Sequence, residues 1–106
     1  MAMNPRFVML LLPVVLVSGA ASGQEVSESV MRTCRATSAQ TARIIAYAVR
    51  ANIDPATQVK RVADSWLEGV QNHMLLAASR APHLSEGELA AIGYSYCVER
   101  RPANVR

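Results

Sequence analysis

The residues of this chain with the best-defined chemistry are its two cysteines. Cys34 and Cys97 stand 63 positions apart, so the chain has neither a Cys-x-x-Cys pair nor a Cys/His cluster of zinc-finger spacing. Metal ligation and dithiol redox chemistry are disfavoured, and no metal and no cofactor is expected. Two such distant cysteines can pair with each other, provided that the chain reaches an oxidising compartment. The other reactive side chains form no constellation. His73 and His83 are ten positions apart and match no HExxH-like spacing, so both are read as packing or surface residues. Asp64 and Glu68 lie four apart with Lys60 four before them, which reads as an ordinary helix-surface ladder. The serines at 27, 29, 38, 65, 79, 85 and 95 include no GxSxG nucleophile elbow. No phosphate-binding loop is present. An enzyme needs a nucleophile or an acid/base pair within hydrogen-bond reach, and none is signalled, so the chain is not expected to be one.

Pairing the cysteines requires export, and the N-terminus has the layout for it. Met1 to Arg6 carry one positive charge and no acid, Phe7 to Val17 are apolar with one proline, and small residues follow in SGAASGQE. A run of 11 apolar residues is well short of the roughly 20 that a membrane-spanning helix needs. Residues 1–23 are therefore expected to be a cleavable signal peptide. Cleavage is allowed after Ala20, Ala21, Ser22 or Gly23 and favoured after Gly23. No lipid-attachment cysteine follows the apolar run, and no stable membrane span is expected after cleavage. Removing residues 1–23 takes away Arg6 and no acid, which lowers the net charge from +3 to +2.

The mature part, residues 24–106, is one small domain, whose core supplies only a few kcal/mol. Closing the loop between Cys34 and Cys97 adds about 4 kcal/mol in the chain-entropy model. A staple of that size decides whether such a domain folds.

The elements that must position the two cysteines read as helices, since alternation and Asn-Gly or Asp-Gly hairpin signals are absent. Over residues 26–51, Met31, Cys34, Ser38, Ala42, Ile45 and Val49 recur every three or four positions and define one buried face. Arg32, Arg35, Arg43 and Arg50 mostly fall off that stripe and are read as a solvated face. Asn52 suits a left-handed residue just past the helix end, with Ile53 folding back as a hydrophobic cap contact. Asp54 and Pro55 then supply an N-cap and a first helical residue. So short a connection predicts an antiparallel hairpin with a second helix over residues 55–80. Its apolar positions, Val59, Val62, Ala63, Trp66, Val70, Met74 and Ala77, are widened by Leu67, Leu75 and Leu76. One neighbour cannot bury so broad an arc. Trp66, Leu67, Val70 and Leu75 are therefore the candidate interaction surface. Gly69 is a weak point within that helix, where glycine costs about 1 kcal/mol relative to alanine.

Ser85 and Glu88 form a capping-box pattern that opens a third helix, over residues 86–100, with Leu89, Ile92, Tyr96 and Cys97 on its inner side. The expected fold is thus all-α: a three-helix bundle, an antiparallel hairpin plus a third helix, stapled by one Cys34–Cys97 disulfide. The tail from Arg100 to Arg106, RRPANVR, is read as frayed. Its arginines, Arg100, Arg101 and Arg106, have no interleaved aromatics, so no nucleic-acid partner is expected.

With the signal peptide, Cys34, the Arg50-x-x-Ile53 helix stop and Cys97 placed, the chain resembles small exported two-cysteine helical proteins of Gram-negative bacteria. That resemblance implies a periplasmic or secreted location. The design is also similar to that of periplasmic acid-stress chaperones, small helical proteins with one disulfide, although no diagnostic motif of theirs is found. The function expected is that of an exported binding or interaction protein, its partner another periplasmic protein or a hydrophobic ligand. An acid-stress-type chaperone and, more remotely, a small hydrolase are the alternatives.

Overall fold

A computed structural model describes residues 25–104. The expected signal peptide, residues 1–23, lies outside the described residues, as does the end of the tail. Four helices and no strand occur among the described residues: α1 (Glu28–Arg50), α2 (Pro55–Gln58), α3 (Ser65–Arg80) and α4 (Glu86–Glu99).

Local signals account for most of the helix ends. The Ser27 hydroxyl accepts from the Val30 N–H at 3.1 Å and opens α1. At the other end Asn52 has φ 59°, and this left-handed residue turns the chain so that Ile53 N–H donates to Ala48 C=O at 2.8 Å and Asn52 N–H to Val49 C=O. The Ala48 and Val49 carbonyls at the end of α1 are thereby satisfied. Asp54 accepts from Ala56 N–H at 3.1 Å with Pro55 in the first position of α2. In α4 the capping box closes in both directions: Glu88 N–H donates to Ser85 Oγ at 3.1 Å, and Ser85 N–H to Glu88 Oε1 at 2.8 Å.

The expected second helix, residues 55–80, is not continuous. α2 stops after one turn because Val59 leaves the helical region (φ −80°, ψ 115°), and the chain stays non-helical until Asp64 caps α3 by accepting from Leu67 N–H. Three causes act together. Val59 and Val62 are β-branched and tolerate an extended backbone. Asp64 gains more as an N-cap than inside a helix. Above all, the Gln71 side-chain amide of α3 takes both backbone groups of this strap, accepting from Val62 N–H at 3.0 Å and donating to Lys60 C=O at 3.1 Å. Arg61 Nε adds a 2.8 Å bond to Asn72 Oδ1. Lys60, Asp64 and Glu68 therefore do not form the helix-surface ladder that their spacing predicts.

The break also reverses the direction of α3 relative to expectation. Cys34, early in α1, is bonded to Cys97, late in α4, and Trp66, at the start of α3, donates its indole N–H to the Cys97 carbonyl at 2.9 Å. At the other end, Ala46 and Val49 of α1, Ala78 and Ala81 of α3 and Leu89 of α4 border one crevice. So α1 and α3 run in the same direction, and α4 runs against both. The expected antiparallel pairing of the first two long helices is corrected: α2 and the strap make the return journey along α3.

Around the shared core, Val30, Ile45, Val70, Met74 and Leu89 are almost completely buried, with both cysteines. The α1 stripe holds at Cys34, Ser38, Ala42 and Ile45, while Met31 and Val49 are only partly covered. α1 and α3 approach α4 tightly at Gly93. A Cβ there would overlap Met74 Sδ and stand 3.0 Å from Ser38 Cβ, so three helices meet where α4 has no side chain. Gly69, in contrast, faces open space, with no heavy atom within 4 Å of where its Cβ would be.

Candidate functional site

Cys34 and Cys97 form the expected disulfide, with Cα atoms 5.6 Å apart and both residues fully buried. It links the start of α1 to the end of α4, and the Trp66 indole, held by its bond to Cys97, brings the start of α3 to the same end. Its burial fits a staple rather than an exchanging thiol pair.

The four residues of the expected interaction surface do not lie together. Val70 is wholly buried in the core and is no part of any surface. Trp66 and Leu67 are half-buried near the disulfide end. Leu75 lies about 14 Å further along α3 and half a turn round it from Trp66, facing a different neighbour. The apolar arc looked broad because periodicity carried through the strap, whose Val59 enters the core while Val62 and Ala63 face outward.

Leu75 instead borders a crevice at the opposite end from the disulfide. Val49 of α1, Pro55 and Ala56 of α2, and Leu75, Ala78 and Pro82 line it, with Asp54 and Ser79 at its polar side, and it encloses about 290 Å³. Val49, Ala78 and Pro82 also border a second hollow of about 340 Å³, whose remaining wall includes Arg50, His83, Ser85 and Glu86. An apolar cleft thus adjoins one of more mixed lining across shared side chains. Ile53 and Leu76, chain neighbours of Asp54 and Leu75, are among the large apolar residues left exposed, Leu76 at 47%. The contributors to this end come from four separate parts of the chain, and no spacing rule connects them.

A third depression, open and shallow, brings His73 of α3 beside Ser95, Tyr96, Glu99 and Arg100. Serine, histidine and glutamate are the residue types of an acyl-transfer triad, but no hydrogen bond joins any of these three side chains to another. The imidazole is stacked on Tyr96, with centroids 3.9 Å apart and planes at 10°, and Arg100 Cζ stands 4.6 Å from the same ring. His73 acts here as a packing group between α3 and α4. His83 is exposed in the α3–α4 loop. Among the described residues no group of three or more His, Cys, Asp or Glu side chains is placed to hold a metal ion. Glu88 has a displaced acidity: the Ser85 N–H, and after it the Ser85 side chain, hold its carboxyl below the ordinary 4.5, with His83 adding to the same effect.

Fold and site together define an all-helical chain closed by one disulfide, and no described helix is long and apolar enough to cross a membrane. No protein-family model, curated protein or solved structure matches the chain.

Proposed function

We propose that the chain is an exported helical binding protein, a bundle of three long helices released from its signal peptide, whose ligand is another exported protein or a hydrophobic molecule. The observation that carries this reading is the apolar crevice between α1, α2 and α3, bordered by Val49, Pro55, Leu75, Ala78 and Pro82. Such clefts, apolar with a few polar groups at the margin, are where small ligands and peptide side chains are taken up. Asp54 and Ser79 supply that margin, and the disulfide at the far end stiffens the bundle without obstructing the cleft. A buried disulfide also agrees with a periplasmic or secreted location, where thiols are not kept reduced.

Export is tested by mass spectrometry of protein from the periplasm or medium, with a chain beginning between Ala21 and Gln24 expected. A full-length chain retained in the inner membrane would overturn it. Binding is tested by capture from periplasmic extract with the wild type, with Leu75→Asp in the crevice, and with Gln40→Asp on the exposed side of α1. The reading requires a captured species that Leu75→Asp loses and Gln40→Asp keeps. Identical capture by all three baits would refute the assignment of the crevice. A hydrolase is distinguished by ester turnover that Ser95→Ala abolishes.

A further inference from the structure

α1 carries four arginines, no lysine and a single acid, Glu28, in its first turn. On a helix turning about 100° per residue, Arg32, Arg43 and Arg50 fall within roughly 20° of one another and Arg35 about 60° to one side. All four are exposed, and none makes an ion pair or a side-chain hydrogen bond to another described residue. The line from Arg32 to Arg50 is about 27 Å long. Between the arginines the helix shows small exposed residues, Ala36 and Ala39. On the α4 side Arg35 borders Ala90, Ala91 and Tyr94, which carry no charge; near the far end Glu86 stands across the hollow from Arg50, and Asp54 lies four residues beyond Arg50 at the neighbouring crevice. Tyr47, 56% exposed, stands one turn from both Arg43 and Arg50 on this face.

We propose that this face of α1 docks on the surface of a membrane rich in anionic phospholipid, the four guanidinium groups taking lipid phosphates and Tyr47 entering the headgroup layer. Three features select this occupant. Guanidinium is planar and donates two parallel hydrogen bonds to phosphate, and the face uses arginine throughout. The arginines are spaced irregularly, three, eight and seven residues apart, and fluid lipids can move to meet such a pattern whereas a partner with fixed charges must already match it. Tyrosine beside cationic residues is also the composition of membrane-interface anchors. The bundle would then lie flat on the bilayer, with α3, on which Leu75 sits, packed against another side of α1.

The test is sedimentation of protein from the soluble fraction of expressing cells with vesicles of phosphatidylglycerol and phosphatidylethanolamine, and with vesicles of phosphatidylcholine alone. Binding to the first and not the second is expected, and raising salt should abolish it as the screening length shortens from about 10 Å at 0.1 M to about 3 Å at 1 M. Changing all four arginines to glutamine should weaken partitioning roughly a thousandfold, about fivefold for each charge. Tyr47→Ala should lower it by a smaller factor that salt does not alter. Helicity and melting temperature of the variants establish that they are folded, and the salt series on the wild type tests the proposal without any variant. Equal binding to both lipids, absence of binding at low salt, binding that the four substitutions leave unchanged, or retention on duplex nucleic acid without retention on vesicles would each overturn it.

Discussion

Replacing Gly93 by alanine probes the point where three helices meet. The added Cβ would overlap Met74 Sδ, stand 2.9 Å from Met74 Cγ and 3.0 Å from Ser38 Cβ, all well inside the 3.5–4.0 Å at which carbon atoms attract. The Met74 side chain is flexible but fully buried, so it can retreat only by displacing its neighbours. Ser38 Cβ sits directly on the α1 backbone and cannot retreat at all without moving the helix. Overpacking costs about 1–3 kcal/mol, and an overlap this deep against buried neighbours falls in the upper part, about 2–3 kcal/mol, against which alanine regains up to about 1 kcal/mol of helix propensity. The expected net loss is about 1–2 kcal/mol, or roughly 4–16 °C in melting temperature for a domain of this size. Met74→Ala alone should cost about 2–5 kcal/mol through the cavity it leaves. In the Met74→Ala background the main clash is gone, so Gly93→Ala should be neutral or stabilising there, with a coupling energy of about 1–3 kcal/mol. Urea unfolding followed by circular dichroism, with the disulfide intact and the denaturant slope unchanged, measures all four corners of the cycle. If Gly93→Ala is as stable as the wild type, or costs the same in both backgrounds, the close crossing of α1, α3 and α4 is wrong.

Gly69→Ala is the converse: nothing within 4 Å resists the methyl group, so a gain of about 0.5–1 kcal/mol is expected in the same assay, and a loss would mean that Gly69 packs after all. Gln71→Ala removes the two hydrogen bonds that its side chain makes to the strap backbone and should cost about 1–3 kcal/mol, with hydrogen exchange at the Val62 amide quickened well beyond that of the α1 core amides; an unchanged Val62 rate would contradict the strap. Cys97→Ser should cost about 2–4 kcal/mol and leave a chain whose melting no longer responds to reductant, whereas peptide mapping that finds both cysteines free in exported material would remove the staple. For Glu88 the folded carboxyl titrates below its ordinary 4.5, so its contribution is complete above that value and is lost as pH falls from there through the folded value. The melting temperatures of wild type and Glu88→Gln should accordingly converge as the pH drops below 4.5, and a gap that persists unchanged at lower pH would rule out the ionised capping box.

Helix ends and the inner face of α1 were legible because the physics there is local. Asp54 and Ser85 satisfy amides two or three residues away, and Asn52 turns the chain just past the helix. The cysteine pairing was legible for a different reason: with only two cysteines there is one possible intramolecular bond. Asp64 carried a local signal as well, an N-cap residue ahead of Trp66 and Leu67, but the helical spacing of Val59, Val62 and Trp66 masked it. A short extended segment with one buried valine satisfies that spacing as well as a helix does.

By itself, then, the sequence determined that the chain is helical, where α4 begins, how α1 ends, and which two sulfurs join. Only the tertiary structure decided that residues 59–64 run as a strap, that α3 lies parallel to α1, that Gly93 and not Gly69 is the tight position, and that Leu75 and Trp66 face different neighbours. Those outcomes rest on partners far away in the chain. Gln71 holds Lys60 from eleven residues on and Val62 from nine, and Gly93 makes room for Met74 and Ser38. Contacts of that range exist only once the helices have packed, and no periodicity within one segment encodes them.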